Sequence, residues 1–293
     1  LVWTTCIKSE GAEELRINFS EGNFPTGVQV NLFSKDDYAF KQAELQGRIG
    51  EHGLYTTTTF ADYVFIEVVI PATAIGENLF FMIPGIVHAI GRPATDAPAV
   101  DCFEDVNCGY ANSYPNIGIL KASTSQLSFG AGGGYYICSG NLLNDIRGVD
   151  LQPFLLTANH CFSTQASAAS LEARFDMYTT SCNGATNPGI ILINGSNLLS
   201  TNSQSDFTMV LLNDTPGGYR WYLGWTPGGV ANDETLHSVN HPSGTPQKYI
   251  RMLNKTSPDF SCGGLPTSNF HYTRALGGET VGGSSGGNVV LPN

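Results

Sequence analysis

A serine flanked by glycines near the end of the chain is the residue best suited to nucleophilic chemistry. Residues 280–287 read TVGGSSGG, so both Ser284 and Ser285 satisfy the pattern G-x-S-x-G. Glycines around such a serine allow backbone N–H groups to point at the oxyanion that forms when a carbonyl carbon is attacked. The motif alone leaves two interpretations open, an acyl-transfer nucleophile or a glycine–serine turn, because the chain contains 34 glycines.

Two upstream segments offer the base and the acid that a serine nucleophile needs. His160 ends the stretch 155–160 (LLTANH), and Asp206 opens the stretch 206–212 (DFTMVLL). A serine hydroxyl is a weak nucleophile at neutral pH, so a histidine must take its proton while an aspartate fixes the imidazole tautomer. The segments together predict a triad of His160, Asp206 and one of the two serines. The N–H groups of Gly283 and Ser285 would be the oxyanion donors.

The remaining histidines and aspartates fit these roles less well. Three histidines lie outside the T-A-x-H-C context and compete only weakly for the role of base: His237, His241 and His271. Three aspartates lack the S-D-F-T strand opening and compete only weakly for the role of acid: Asp150, Asp176 and Asp214. The adjacent His160 and Cys161 also suggest a metal pair, but no second His/Cys cluster at ligand spacing accompanies them. We therefore expect no metal site.

Composition argues against several classes of partner. The chain has 25 acidic and 14 basic residues, a net charge of -11 and no basic cluster, so we expect no nucleic-acid binding. No apolar run approaches the roughly 18 residues of a membrane span, so we expect no membrane insertion. Only 13% of residues are charged, while glycine and small polar residues are plentiful, which is typical of an all-β protein. We expect a monomer without a cofactor.

The candidate segments also resemble a known family. Three of them are similar to the signature segments of trypsin-fold serine proteases, specifically the secreted bacterial lysyl endopeptidase-like branch: residues 157–161 (TANHC), 205–208 (SDFT) and 283–287 (GSSGG). Further matches are residues 102–108 (CFEDVNC), 138–140 (CSG), 224–225 (GW) and 241–248 (HPSGTPQK). The resemblance is strong over residues 100–293 and looser before them. It implies a chymotrypsin-like double β-barrel, an endopeptidase acting through an acyl-enzyme intermediate, and Ser285 as the nucleophile.

The resemblance and the local sequence pattern together predict three segments along the chain. Residues 1–92 contain strand-like alternation at 15–19 and 28–32 and resemble the pro-domain of this branch, for which we expect a β-sandwich-like fold. Residues 93–101 (PATDAPAVD) break regular structure and read as a linker. Residues 102–293 would form the protease domain, with a short helix at 167–172.

Both ends of the chain are expected to be incomplete. Only eight residues follow Ser285, whereas the second barrel of this fold continues beyond the nucleophile. We therefore expect a truncated second barrel, in which Ser285 fits His160 more loosely than Asp206 does. The chain begins without Met or an apolar leader, so a signal peptide is expected to have been removed or left out.

Seven cysteines indicate an oxidising compartment and a secreted protein. A bridge between Cys138 and Cys161 would pin the histidine loop to a neighbouring strand. The resemblance implies a second bridge, between Cys108 and Cys182. It also implies that Cys102 is free, because its family partner lies beyond the nucleophile. The sequence assigns no partner to the last two cysteines, Cys6 and Cys262.

Glu279 is the candidate determinant of substrate preference. It lies six residues before Ser285, where trypsin-fold enzymes place the base of the primary pocket, and an acid there would attract a lysine or arginine side chain. The resemblance implies cleavage after lysine. The alternative is a solvated turn glutamate without a role in binding.

Ser284 bears on activation. Many trypsin-fold enzymes carry an aspartate in this position, which pairs with a newly cut N-terminal amine. Ser284 has no charge to pair with such an amine, which would be left buried and uncompensated. We therefore predict that cleavage between Arg92 and Cys102 releases residues 1–92 without this switch. Cys102 and Cys108 would instead anchor the new terminus at the surface.

Two other functions share these motifs. An esterase could use the same triad, but in α/β-hydrolases the serine precedes the acid and the histidine, whereas here it comes last. A binding or adhesion module on a degenerate protease scaffold would keep the fold without the chemistry, and the intact set of His, Asp and Ser argues against it. The favoured prediction is a secreted endopeptidase with protein or peptide substrates.

Overall fold

The computed structural model describes residues 1–35, 41–43, 47–49, 53–90, 103–146, 151–187, 189–192, 195–260, 265–266 and 268–292. The chain divides into two compact units: Leu1–Arg92 with Ala169–Glu172 and Ile193–Gly195, and Pro93–Ala168 with Ala173–Leu192 and Ser196–Asn293. In the described part of the chain, no helix combines the length and the hydropathy that a membrane span requires. The predicted linker 93–101 lies outside the described residues.

The first unit is built from short strands in three antiparallel sheets. Its strands are β1 (Val2–Lys8), β2 (Glu14–Phe19), β3 (Glu21–Phe24), β4 (Gln29–Phe33), β5 (Lys41–Ala43), β6 (Gly47–Arg48), β7 (Leu54–Tyr55), β8 (Tyr63–Val69), β9 (Phe80–Met82) and β10 (Gly85–Ala89). A single 3₁₀ turn is described among them, at Ala72–Ala74. The sheet orders are β1-β8-β4-β5, β10-β2-β7 and β6-β3-β9.

One hydrophobic core joins the sheets of the first unit. Alternate residues of β8 are buried, namely Val64, Ile66 and Val68, because successive side chains of a strand point to opposite faces. They pack in the same cluster as buried residues of β2 and β4, including Ile17 and Leu32. Each such side chain stabilises the fold by about 1.5–3 kcal/mol. This arrangement fits the β-sandwich-like fold expected for residues 1–92, and the alternating pattern predicted its strands.

Most of the remaining elements form the second unit. The strands are β11 (Glu104–Asp105), β12 (Thr124–Ala131), β13 (Gly134–Leu143), β14 (Phe154–Thr157), β15 (Glu172–Phe175), β16 (Ile190–Leu192), β17 (Ser196–Asn202), β18 (Phe207–Leu212), β19 (Thr235–Asn240), β20 (Lys248–Lys255) and β21 (Tyr272–Gly277). The helices are short: α1 (Gly109–Ser113), α2 (Ile117–Ser123) and α3 (Gln165–Ala169).

Two sheets organise the second unit. The larger has the order β16-β15-β12-β13-β14-β18-β17, and the smaller has the order β11-β20-β19 with β21 also paired to β20. The expected all-β class is therefore confirmed. Among the described residues the larger sheet has free edges at β16 and β17, so no closed barrel is formed there.

The predicted helix at 167–172 is displaced. Helix α3 covers Gln165–Ala169, and Glu172 instead begins β15. The Thr164 hydroxyl accepts a hydrogen bond from the Ser167 N–H at 3.2 Å, as a residue that caps a helix start does. Beyond the helix, pairing of β15 with β16 draws Ala173 opposite Leu192 in an antiparallel ladder. The sheet partner thus overrides the local cluster of alanine and leucine.

Strand register brings two chain segments to one edge of the larger sheet. β14 and β18 are antiparallel, with Phe154 opposite Leu211 and Thr157 opposite Thr208. The end of β14 and the start of β18 therefore lie side by side. The residues that follow Thr157 and the residue that precedes Phe207 must meet at this edge.

Candidate active site

His160 and Asp206 meet at this edge of the sheet. The backbone N–H of His160 donates to Asp206 Oδ1 at 2.9 Å, and His160 Nδ1 lies 2.6 Å from Asp206 Oδ2. Asp206 has φ +50°, a left-handed conformation in which aspartate is one of the few tolerated side-chain residues. Because a carboxylate can only accept, Nδ1 carries the proton and Nε2 is left as the acceptor.

Ser285 completes the row of hydrogen bonds. Its Oγ lies 2.8 Å from His160 Nε2, so the hydroxyl can donate to the unprotonated ring nitrogen. This distance is longer than the 2.6 Å between His160 and Asp206, as a looser fit would require, but it is still within the normal hydrogen-bond range. Ser284 is different: it is buried, and its Oγ accepts the Val281 N–H at 3.3 Å. The structure thus separates the two serines that the motif left equivalent.

Hydrogen bonds hold two carbonyl groups of the loop that precede Ser285. Gly282 O accepts from the Ser243 N–H at 2.6 Å, and Ser284 O accepts from the Gly287 N–H at 3.0 Å. In the described part of the chain, no acceptor is recorded for the N–H groups of Gly283 or Ser285. These two donors are therefore available to a ligand beside the Ser285 hydroxyl.

Two glycines of the loop are required by its backbone. Gly283 has φ +93°, and a Cβ there would lie 2.7 Å from the His241 oxygen. Gly286 has φ +81°, and a Cβ there would lie 2.2 Å from the Ser139 oxygen and 2.3 Å from Thr157 Oγ1. Only glycine combines this conformation with this close approach.

Strand β13 holds the Ser285 loop by hydrogen bonds, mainly through Ser139, a residue for which the sequence predicted no role. Its N–H donates to Ser285 O at 2.7 Å, and its Oγ donates to Gly283 O at 2.9 Å. Asn141, two residues along the same strand, donates from Nδ2 to Gly286 O at 2.8 Å. The available signal was the CSG match at 138–140, which identified the strand end but not these bonds.

Two disulfides lie among the described residues. Cys138 is bridged to Cys161 with a Cα–Cα distance of 6.3 Å, which ties β13 to the segment that follows His160. Cys108 is bridged to Cys182 with a Cα–Cα distance of 4.6 Å. Among the described cysteines Cys6 is free and exposed. Cys102 and Cys262 lie outside the described residues, so the expectation that Cys102 is free stays a prediction.

The other histidines have different environments. His237 stacks on Tyr114 with ring centroids 3.9 Å apart and bonds Tyr249 Oη through Nδ1 at 2.6 Å. Burial lowers the pKa of His237, and nearby Arg251 lowers it further. His271 is exposed and lies 3.3 Å from Asn254 Oδ1.

His241 is fully buried, and its environment keeps it neutral. Its Nδ1 donates to Thr245 O at 2.9 Å. Burial lowers the pKa of His241 to about 4; the hydrogen bond to Thr245 opposes this change, and Arg174 adds to it.

The rival acids also lie elsewhere. Asp176 forms a bidentate ion pair with Arg220, with both N–O distances 2.8 Å. Asp214 follows the end of β18, and Asp150 lies outside the described residues. Glu279 is exposed between β21 and the loop of Ser285, and within the described structure no hydrogen bond or ion pair is recorded for it.

No metal centre accompanies these groups in the residues that the structure describes, where no cluster of three or more His, Cys, Asp or Glu could hold an ion. The site consists of a hydroxyl, an imidazole and a carboxylate in line, with two free N–H groups beside the hydroxyl. Such an arrangement can perform acyl transfer without a bound cofactor.

Sequence comparison matches this chain to one family model and to curated relatives. A family model, "Lysyl endopeptidase, C-terminal domain", matches residues 97–292. A lysyl endopeptidase of Pseudomonas aeruginosa is 28% identical over 259 residues, which are 83% of this chain and 56% of that protein. Secreted RxLR effector protein 73 of Plasmopara viticola is 26% identical over 62% of this chain and 44% of that protein. The chain thus spans about half the length of the curated relatives it matches.

Solved structures resemble the chain more distantly. An HtrA-type protease, AlgW, solved with a tripeptide, is 17% identical, with a TM-score of 0.42 over 63% of this chain and 51% of that chain. A protease of M. tuberculosis in its active form is 10% identical, with a TM-score of 0.40 over 61% of this chain and 70% of that chain. Likenesses at this level carry no argument about function.

Proposed function

Because this chain belongs to the lysyl endopeptidase C-terminal domain family, we propose that it is a secreted serine endopeptidase that hydrolyses peptide bonds through an acyl-enzyme intermediate. The observation that carries the proposal is the pair of hydrogen-bond distances around His160. Nδ1 lies 2.6 Å from the Asp206 carboxylate, and Nε2 lies 2.8 Å from the Ser285 hydroxyl. Nucleophile, base and orienting acid are therefore in contact without rearrangement.

In the proposed mechanism Ser285 Oγ attacks the carbonyl carbon of the scissile peptide bond. His160 Nε2 takes the hydroxyl proton and later gives it to the leaving amine. The proton on Nδ1 stays with the imidazole, and the Asp206 carboxylate stabilises the imidazolium that forms. Water then attacks the acyl-enzyme with His160 again as the base, which releases the acid product and regenerates the Ser285 hydroxyl.

The negative oxygen of each tetrahedral intermediate would lie between the N–H groups of Gly283 and Ser285. Each such donor contributes about 2.7–4 kcal/mol to transition-state stabilisation when the site excludes water. The neighbouring carbonyl groups are already engaged, so these donors need no reorientation during the reaction.

The proposed domain division, substrate preference and secretion are based on membership of the family. Residues 1–92 would be a pro-domain, 93–101 the linker that is cut, and 102–293 the protease domain, with proteins or peptides as substrates and a monomer as the active form. Cleavage would follow lysine, with exposed Glu279 as the candidate acid for that side chain. The two disulfides favour secretion, because such bonds persist in oxidising compartments.

A phosphonylating probe tests the proposal directly. The unmodified chain should form a covalent adduct whose peptide map places the phosphonate on Ser285. Ser285→Ala should abolish the adduct, and Ser284→Ala should retain it, because the Ser284 hydroxyl is turned toward Val281. A chain that folds but forms no adduct would instead be a binding module on a protease scaffold. An adduct on Ser284 would move the nucleophile by one residue.

Substrate preference needs a separate test. Peptide ester substrates that differ only in the residue before the scissile bond should show a kcat/KM that is highest for lysine. Glu279→Gln should lower the preference for lysine over a neutral residue of similar size while the phosphonylation rate is retained. An unchanged preference in this variant would mean that Glu279 is a solvated turn residue without a role in substrate binding.

A further inference from the structure

A five-residue turn lies against the loop that carries the oxyanion donors. Residues 241–245 (HPSGT) follow strand β19 and include a 3₁₀ turn at Pro242–Gly244. A methyl group built on Gly283 would lie 2.9 Å from the Ser243 nitrogen and 3.0 Å from the Gly244 nitrogen. The backbones of the turn and the loop are therefore in direct contact, with no side chain between them.

One hydrogen bond from this turn sets the orientation of a peptide group in the loop. The Ser243 N–H donates to the Gly282 carbonyl oxygen at 2.6 Å. In a trans peptide the C=O of one residue and the N–H of the next point in opposite directions. Holding Gly282 O toward Ser243 therefore directs the Gly283 N–H away from the turn, toward the side where the substrate oxygen would lie.

The turn is itself rigid. Thr245 Oγ1 donates to Pro242 O at 2.7 Å, and the His241 side chain closes the turn by donating from Nδ1 to Thr245 O at 2.9 Å. Gln126 of β12 donates to Gly244 O at 2.5 Å, which fixes the turn to the larger sheet. A donor mounted on such a turn cannot follow the loop if the loop moves.

Ser139 joins the turn to the loop a second time. Its Oγ accepts the His241 N–H at 2.9 Å and donates to Gly283 O at 2.9 Å. The peptide groups on both sides of Gly283 are therefore held from outside the loop, the first by Ser243 and the second by Ser139.

Ser243 maintains an unfavourable conformation to make its bond. Its φ is +51°, a left-handed value that costs a non-glycine residue stability, and its side chain is exposed. Strain of this kind persists only where the surrounding structure imposes it, and it concentrates at functional sites.

We propose that the turn 241–245 is the positioning element of the oxyanion hole, in which the main-chain N–H of Ser243 holds the Gly282 carbonyl and thereby aims the Gly283 N–H at the substrate. This inference rests on the proposed function. The turn also orders the loop in place of an ion pair. Ser284 carries no charge, so main-chain and hydroxyl hydrogen bonds order the loop instead. Ser243 is here a positioning residue and does not touch the substrate.

The test replaces one main-chain N–H group of the turn by an oxygen atom. Replacing Ser243 by its α-hydroxy acid analogue, through nonsense suppression, changes the amide to an ester and deletes the N–H while keeping the side chain. We expect the kcat for p-nitrophenyl acetate to fall about 10- to 100-fold, below the 100- to 1,000-fold loss of a deleted donor. The KM should stay within about twofold, because the ground-state ester makes little use of the oxyanion donors.

Two matched controls accompany the ester variant. Serine inserted at position 243 by the same route should restore the kcat of the unmodified chain. Ser243→Ala keeps the N–H and removes only the exposed hydroxyl, so its kcat should fall less than that of the ester variant. The low-field proton shared by His160 and Asp206 should persist in the ester variant, since neither residue contacts the turn in the described structure.

The outcomes distinguish a failure of the inference about the turn from a failure of the proposed function. An ester variant with a kcat within threefold of the serine control would overturn the inference. Absence of phosphonylation in the unmodified chain would contradict the proposed function itself. If the ester variant does not fold, amide exchange in the unmodified chain decides: the Ser243 N–H should exchange at least 100-fold slower than a free amide. Exchange at the free rate would overturn the inference.

Discussion

Two regions of the second unit place the candidate catalytic groups, and they do so by different means. His160 and Asp206 stand at the ends of β14 and β18, where the pairing of Thr157 with Thr208 brings them together. Ser285 stands on a loop without secondary structure, held by single hydrogen bonds from β13 and from the turn 241–245. The first region depends on a repeating ladder, and the second on individual polar contacts between distant parts of the chain.

This difference predicts different sensitivities. A ladder spreads its stabilisation over many residues, so one substitution near His160 should change chemistry rather than position. In the loop each contact holds one peptide group, so a single added or missing atom should shift a reacting group.

The largest effect is expected from the acid at the sheet edge. Asp206→Asn keeps the shape but presents an amide to Nδ1, which favours the wrong imidazole tautomer. We expect kcat to fall by about 10⁴-fold, equivalent to about 5 kcal/mol, with little change in the thermal midpoint. Steady-state hydrolysis and calorimetry on the same samples would measure both. Asp214→Asn is the control and should keep its activity; a comparable loss there would reassign the acid.

The contrast also explains what the sequence revealed. The strands β2 and β4 follow from alternation, and His160 and Asp206 are identified by motifs at strand ends, so local pattern was sufficient to name them. Ser285 was distinguished from Ser284 only by resemblance to the family, because both satisfy the glycine spacing. The structure separates them by contacts that no local pattern contains.

What the sequence missed has a common cause. Ser139 and Ser243 act through partners that are far away along the chain: the Ser139 bond to Gly283 spans 144 residues. No periodicity or short motif reports such a contact. The same limit applies to the support of Ser285, since its loop is held by β13 and the turn 241–245, both of which precede it.

Removing the disulfides should separate stability from positioning. The Cys108–Cys182 bridge spans 74 residues and the Cys138–Cys161 bridge spans 23, so loss of the first should lower the free energy of unfolding by about 4 kcal/mol and loss of the second by about 3 kcal/mol. Only the second bridge ties the Ser139 strand to the His160 segment. Double alanine variants, compared by urea unfolding and by kcat, should show the larger loss of activity for the second bridge. Equal losses of activity would weaken the contrast.

Glycine substitutions test the close contacts of the loop. Gly286→Ala places a methyl group within 2.3 Å of two oxygen atoms at φ +81°, so we expect a loss of about 3 kcal/mol in the free energy of unfolding. Gly282→Ala meets nothing within 4 Å and should change stability by less than about 0.5 kcal/mol. Urea unfolding of the two variants makes the comparison. Similar values would show that the loop can relax away from β13.

The smallest expected effect is a pH dependence that originates in the turn. Burial lowers the pKa of His241 to about 4 in the folded chain, from an ordinary value of 6.5. Between these pH values the unfolded state binds more protons, so the free energy of unfolding falls as the pH falls; well above pH 6.5 His241 is neutral in both states and contributes nothing. From pH 7 to pH 5 we expect His241 alone to remove about 2 kcal/mol from the free energy of unfolding.

Urea unfolding at the two pH values should show this loss in the parent and a loss smaller by that amount in His241→Asn, which keeps a donor for Thr245 O but does not titrate. Burial also lowers the pKa of His237, so some dependence of the same sign should remain in the variant. Equal slopes for the two proteins would mean that the His241 turn opens to water in solution, and it could then no longer hold the loop of Ser285 in place.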